Sequence, residues 1–295
     1  CVLDFSRQDV VDNIYEQMAA ILASGKVSYV KWDMNRSITE CWSHALPAAR
    51  QGEVFHRYIL GLYDLYERLT TAFPHVLFES CASGGNRFDP GMLYYAPQAW
   101  TSDNSDAVER QKIQYGTSMC YPLSSMGSHV SVVPNHQVNR VTPLHTRANT
   151  AYFGTFGYEL DLGKLSAEEI AEVKDEIAFM KEYREIFQFG TFYRLQSPFE
   201  HNVMAWMCVS GDQKTAIVGW YRTLNRVNDR FARVRLAGLL PDTLYEDSRS
   251  GARCYGDELM HYGLITTDGT TGEPHPEDGL TTDFDSRLYV LNAVE

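Results

Sequence analysis

Three groups of polar residues stand out as able to do chemistry. The first is Asp33, two residues after Lys31, at the end of the run Val27–Arg36. If that run is extended, Val27, Tyr29, Lys31 and Asp33 share one face, and Ser28, Val30 and Trp32 share the other. An ammonium beside Asp33 would hold it ionised, as a nucleophile requires. A solvated salt bridge at a strand end is the plainer reading of the same pair. The second group is Glu79, Cys81 and the pair Gly84-Gly85, after the apolar run that begins at His75. The third is Asp103 and Asp106, after Gln98–Thr101. Two carboxylates on strand ends that converge on one rim would flank a single bond. Glycosidic cleavage uses such a pair, one ionised and one protonated. Either Asp103 or Asp106 can be the acid, and the other the cap of the helix from Ala107. Asp106 directly precedes that helix and suits the cap better. The glycines either let the backbone approach a sugar or form an ordinary turn. Cys81 either contacts a ligand or is an inert buried thiol, and Trp100 is either a stacking platform or a core residue. His129, His136 and His145 are spaced too loosely for a metal motif, so no metal and no cofactor is expected.

The elements that must position these groups alternate between strand and helix. Residues 1–5 read as the end of a strand. Ser6-x-x-Asp9 resembles a capping box, followed by Val10, Val11, Ile14, Met18, Ile21 and Leu22 at helical spacing and by Gly25 as the stop. The strand bearing Lys31 and Asp33 comes next, making a β-α-β unit typical of a parallel sheet. Residues 37–52, with His44, read as a loop. A helix over about 53–72 places Phe55, Ile59, Leu62, Tyr66 and Leu69 on one stripe. Strands at 75–79 and 98–101 follow, with residues 88–97 a short connection between them. Then come a helix over 107–118, a loop-rich section at 120–136, and a helix over 144–156. Ser166-x-x-Glu169 caps a long helix with Ile170, Val173, Ile177, Met180 and Phe187 inward. After Gly190 the texture changes to short strand-like runs at 202–209, 215–221, 231–236 and 287–291, separated by turn residues such as Asp268-Gly269.

The predicted fold class is therefore α/β. Residues 1–190 read as a (β/α)8 (TIM) barrel lacking its first strands, and residues 191–295 as an antiparallel β-sandwich domain. In such barrels the carboxyl ends of the strands carry the chemistry. A chain that opens inside a strand, with no initiating Met, reads as a piece of a longer protein. A processed lipoprotein cysteine at Cys1 is the less favoured alternative.

The formal net charge of −12 argues against a nucleic-acid or anionic-membrane partner. No apolar run has the length of a membrane span, and no signal peptide is visible. The six cysteines are far apart, with no C-x-x-C pair. A reducing, cytoplasmic setting is the expectation.

Three segments together carry a resemblance: K-W-D-M-N-R at 31–36, S-C-A-S-G-G-N-R-F-D at 80–89 and W-T-S-D-N-S-D-A-V-E-R at 100–110. With S-M-G-S-H-V-S at 125–131, P-N-H-Q at 134–137 and T-P-L-H-T-R at 142–147, they resemble the α-galactosidases of glycoside hydrolase family 36. The resemblance implies a retaining mechanism on terminal α-linked galactose, without a metal. By motif, Asp33 is the nucleophile and Asp103 the acid/base. Lys31, Trp32, Met34 and Asn35 form the binding segment. Cys81, Ala82, Ser83 and Gly84 line the sugar, and Arg87 braces their loop. The implied partner is an α-galactoside oligosaccharide, and homo-oligomers are common among such enzymes. A galactosyl-transferring enzyme of the raffinose- or stachyose-synthase kind shares the chemistry. A carbohydrate-binding remnant without turnover is the reading from another class.

Overall fold

The computed structural model describes residues 2–226, 232–266 and 283–294. Cys1, residue 231 and the Asp268-Gly269 turn lie outside the described residues. The described residues fall into two compact units, residues 1–103 and 104–295.

The first unit runs α1 (Gln8–Leu22), β1 (Tyr29–Asp33), α2 (Val54–Ala72), β2 (Leu77–Cys81), α3 (Pro90–Tyr95) and β3 (Gln98–Trp100). Strand β2 pairs in parallel with β1 on one side and β3 on the other. The register sets Lys31 opposite Glu79, Asp33 opposite Cys81, and Glu79 opposite Gln98. Behind the sheet, Val11, Leu22, Leu62, Leu65, Tyr66, Leu69 and Phe78 form the core. Each helix thus buries one stripe, as its spacing predicts.

Four local expectations are corrected in this unit. Residues 2–4 are irregular and Phe5-Ser6 is a turn, so α1 does not follow a strand within the described residues. Arg7, whose side chain makes no capping hydrogen bond, occupies the cap position of α1. Ser6 is instead taken by Asp4, to which its Oγ donates at 2.5 Å. Phe55 is 52% exposed, because it lies in the first turn of α2 at the margin of the apolar stripe. Residues 90–95 form α3 rather than a plain connection: Asp89 caps it by accepting from the Met92 N–H at 3.0 Å, and Pro90 takes the first helical position.

The second unit runs α4 (Ala107–Thr117), β4 (Met126–Ser131), α5 (Leu144–Ala151), β5 (Thr155–Glu159), α6 (Ala167–Phe189), β6 (Thr191–Gln196), β7 (Val203–Val209), β8 (Thr215–Arg222), β9 (Arg233–Val234), β10 (Leu244–Asp247), β11 (Arg253–Tyr255), α7 (Gly256–His261), β12 (Leu264–Ile265) and β13 (Asp285–Ala293). Strands β4 and β5 pair in parallel. Six later strands form an antiparallel sheet in the order β11-β10-β13-β8-β7-β6. The capping box of α6 is present in both directions, with the Glu169 N–H donating to Ser166 Oγ at 3.2 Å and the Ser166 N–H to Glu169 Oε2 at 2.8 Å.

The loop-rich reading of 120–136 is corrected: Met126–Ser131 is a buried strand. Its polar residues are satisfied by buried side chains of neighbouring helices. Ser128 Oγ donates to Gln114 Oε1 at 2.8 Å, Arg110 reaches the Gly127 carbonyl at 3.2 Å, and Arg147 reaches the Ser131 carbonyl at 2.6 Å. Glu176 of α6 is likewise buried and accepts from the Tyr158 hydroxyl at 2.5 Å. Its burial pushes its carboxyl up to about 7. Among the described residues no helix is long and apolar enough to cross a membrane.

Candidate active site

The first unit brings most of the expected site residues onto one sheet face and one turn. Asp33 is the last residue of β1, and its side chain is exposed. Asn35 Nδ2 donates to Asp33 Oδ2 at 2.8 Å. The same amide accepts, through Oδ1, from the Ser83 N–H at 2.9 Å and from Ser83 Oγ at 3.3 Å. One side chain therefore ties the carboxylate at the end of β1 to the turn at the end of β2. That turn is fixed further. The Met34 N–H donates to the Cys81 carbonyl at 2.9 Å, and Arg87 donates to the Met34 carbonyl at 2.7 Å and the Arg36 carbonyl at 3.3 Å. Arg87 thus links the turn after β2 to the segment after β1.

Cys81 sits opposite Asp33 in the register and is buried. Burial pushes its thiol up to about 11, the hydrogen bond to the Asp33 carboxylate acts in the same direction, and the Gly84 backbone opposes them. At neutral pH it is a neutral thiol and adds no negative charge beside Asp33.

Ser83 and Gly84 both adopt positive φ, at 50° and 80°. A Cβ on Gly84 would lie 2.6 Å from Ser102 Cα and 2.9 Å from the Asp103 nitrogen. On Gly85 it would lie 2.7 Å from the Thr101 carbonyl oxygen. The glycines therefore let the β2 turn lie against the backbone that carries Asp103. Gly84→Ala forces backbone against backbone, with no flexible side chain to yield. Its expected outcome is a loss of turnover of about 100-fold, the scale set by roughly an ångström of misplacement, together with lower thermal stability. Gly116→Ala is the control, because nothing lies within 4 Å of its added Cβ. Kinetics and melting curves of the two variants check this, and equal effects would remove the positioning role of the Gly84 turn.

Asp103 is exposed rather than partly buried as an acid in a closed pocket would be. Asp106 is the cap of α4: its Oδ2 accepts from the Glu109 N–H at 3.0 Å, and Arg140 donates to the same oxygen. That leaves Asp103 as the carboxylate of the third group not used to cap α4.

One expected contact is corrected. Lys31 does not pair with Asp33. Its ammonium lies 3.7 Å from Glu79 Oε1 and 4.8 Å from the centre of the Trp100 ring. Trp32 points to the other face, where its ring packs on Tyr66 at 4.9 Å. Met34 also packs against the core behind the sheet. These two side chains support the segment from behind. Ala82 is buried within the turn. Glu79, on the same face as Lys31, has no role implied by the resemblance. Its signal was positional: an ionisable residue two before Cys81 shares its face of β2. Among the described residues, no group of three or more His, Cys, Asp or Glu side chains is arranged to hold a metal ion.

The chain is 52% identical over 294 residues to alpha-galactosidase AgaA of Geobacillus stearothermophilus, covering 100% of this chain and 39% of that protein. A crystal structure of an AgaA variant in complex with raffinose superposes with a TM-score of 0.93 at 52% identity, over 99% of this chain and 39% of that one. The alpha-galactosidase of Lactobacillus brevis superposes with a TM-score of 0.94 at 49% identity, over 100% of this chain and 39% of that one. The chain thus spans about two fifths of the length of these relatives. A melibiase family model matches residues 1–190, and a model of the glycosyl hydrolase family 36 C-terminal domain matches residues 203–291. With the first of these covering well over half of its length, the chain belongs to the melibiase family, in its glycosyl hydrolase family 36 branch.

Proposed function

We propose that the protein bearing this chain is a retaining α-galactosidase acting on terminal α-linked galactose. The observation that carries the reading is the Asn35 clamp, which holds the Asp33 carboxylate against the turn on which the Asp103 backbone rests. Asp33 attacks the anomeric carbon, and its carboxylate oxygen forms the covalent bond as the glycosidic C–O bond breaks. Asp103, protonated, gives its proton to the departing oxygen. It then takes a proton from water, whose oxygen attacks the same carbon and frees Asp33. Lys31, Asn35 and Cys81 face the sugar and offer donors to its hydroxyls. Ser83 and Gly84 shape the turn beside it, Arg87 and Ala82 brace that turn, and Trp32 and Met34 hold the segment in place from behind.

The parallel strands belong in this reading to part of a (β/α)8 barrel, with the antiparallel sheet as a C-terminal domain. The boundary near residue 190 is supported by the end of the melibiase match and the later start of the C-terminal domain match. Raffinose and stachyose, found in complexes of the AgaA relatives, are the substrate types proposed.

The test is the anomer released first. The natural polypeptide is incubated with an aryl α-galactoside, and the product is followed by proton NMR before mutarotation. The expected product is α-galactose, from two inversions. Initial β-galactose would overturn the retaining mechanism, and no release of galactose would overturn the enzyme reading.

A further inference from the structure

The row beneath Asp33 contains a carboxylate that the proposed chemistry does not use. Glu79 is 2% exposed in the middle of the sheet, facing the side that bears Lys31. A buried carboxylate is expensive unless paired and hydrogen-bonded. Its Oε2 is well served: the Tyr29 hydroxyl donates to it, and Gln98 Nε2 donates to it at 3.4 Å and to the Tyr29 oxygen at 3.1 Å. Its Oε1 makes no hydrogen bond and faces the Lys31 ammonium at 3.7 Å. The pairing is lateral. Lys31, Glu79 and Gln98 are register neighbours on three adjacent strands, so the sheet itself sets their spacing. Trp100 closes the arrangement, with its ring 4.8 Å from the same ammonium.

An ammonium has three donors. Glu79 and the Trp100 ring attract it electrostatically without forming a hydrogen bond in the structure. A long, flexible side chain on an exposed strand face otherwise loses its rotamer freedom only when a ligand arrives. Anchoring it beforehand lowers that cost.

We infer that Glu79 is a positioning residue of the sugar site, a buried anion that holds the Lys31 ammonium in place for the galactose hydroxyls. The inference rests on the α-galactosidase reading of the site. It assigns Glu79 to binding and not to the bond-breaking step: Glu79 is buried, and its link to the ligand runs through Lys31. Tyr29 and Gln98 serve Glu79 by satisfying the oxygen that does not face Lys31.

The experiment is a double-mutant cycle in the natural polypeptide, with Glu79→Gln, Lys31→Met and the pair, assayed on an aryl α-galactoside alongside Asp33→Asn. Glu79→Gln is expected to raise KM by about 10- to 100-fold, the scale of one charge-assisted contact, with kcat changed by less than about threefold. Lys31→Met should raise KM at least as much, and the double variant should be no worse than Lys31→Met alone. Glu79→Asp, which keeps the charge on a shorter stem, should fall between wild type and Glu79→Gln. It also serves if Glu79→Gln does not fold. A purely structural role would lower the melting temperature without this split between KM and kcat. An unchanged KM in the folded variants, or effects of Glu79→Gln and Lys31→Met that multiply independently, overturns the inference alone. Absence of any Asp33-dependent turnover in the wild type overturns the α-galactosidase reading, and this inference with it.

Discussion

Asp33→Asn is expected to lower kcat by roughly 10,000-fold or more, the scale of losing a group around which the chemical step is built. The amide keeps the shape and the acceptor oxygen for Asn35, so folding and sugar binding should survive. What disappears is the anionic oxygen that the proposed mechanism uses to form the bond to the anomeric carbon. Steady-state kinetics with an aryl α-galactoside, and galactose binding by calorimetry, check the two halves separately. Chemical rescue sharpens the assignment. In Asp33→Ala, azide should enter the vacated space and attack the anomeric carbon directly, giving β-galactosyl azide by a single inversion. An Asp33→Asn variant that retains more than a few per cent of wild-type turnover would remove Asp33 from the nucleophile role.

Asp103→Ala should separate substrates by their leaving groups. Raffinose releases a sugar alcohol, whose oxygen needs a proton as the bond breaks, so the expected loss is about 1,000-fold, within the range of general acid catalysis. A nitrophenyl galactoside releases a stable phenolate and needs little help in that step. For it, the loss should fall on the second step, where water requires a base. Azide needs no base, so it should restore turnover of the nitrophenyl substrate and give α-galactosyl azide, the product of two inversions. Equal losses on both substrates, without rescue, would point to a binding role for Asp103.

Much of the architecture is legible in the residue order. The stripe Leu62, Tyr66 and Leu69 defines the buried face of α2, and the paired capping residues Ser166 and Glu169 start α6 where the structure starts it. The assignment of Asp106 to the cap of α4 also follows from its place directly before Ala107. The elements that are hard to read have two physical causes. β4 is Met-Gly-Ser-His-Val-Ser, with little apolar or β-branched content. It is a buried strand because Gln114, Arg110 and Arg147, from other elements, satisfy its polar groups. No local pattern records such long-range partners. The short strands β9, β11 and β12 have two or three residues each, too few to show alternation.

At the candidate site the division is similar. The sequence by itself determined which chemical groups stand at the strand ends: Asp33 and Lys31 on one face of β1, Cys81 at the end of β2, and Asp103 after β3. It also determined that Trp32 faces the opposite side from Lys31 and Asp33, since the alternation of a strand is local geometry. Only the tertiary structure decided which of these groups are partners. Two residues apart on one strand, Lys31 and Asp33 are separated by about 6.5 Å of backbone, whereas register neighbours on adjacent strands are about 4.8 Å apart. Lys31 therefore turns sideways to Glu79. Asp33 is left to Asn35, and Gly84 is left to fit the backbone of the next strand end. Spacing along the chain places each group on its face, but the lateral distance between strands is shorter than the repeat along them, so the register of the sheet chooses the contacts.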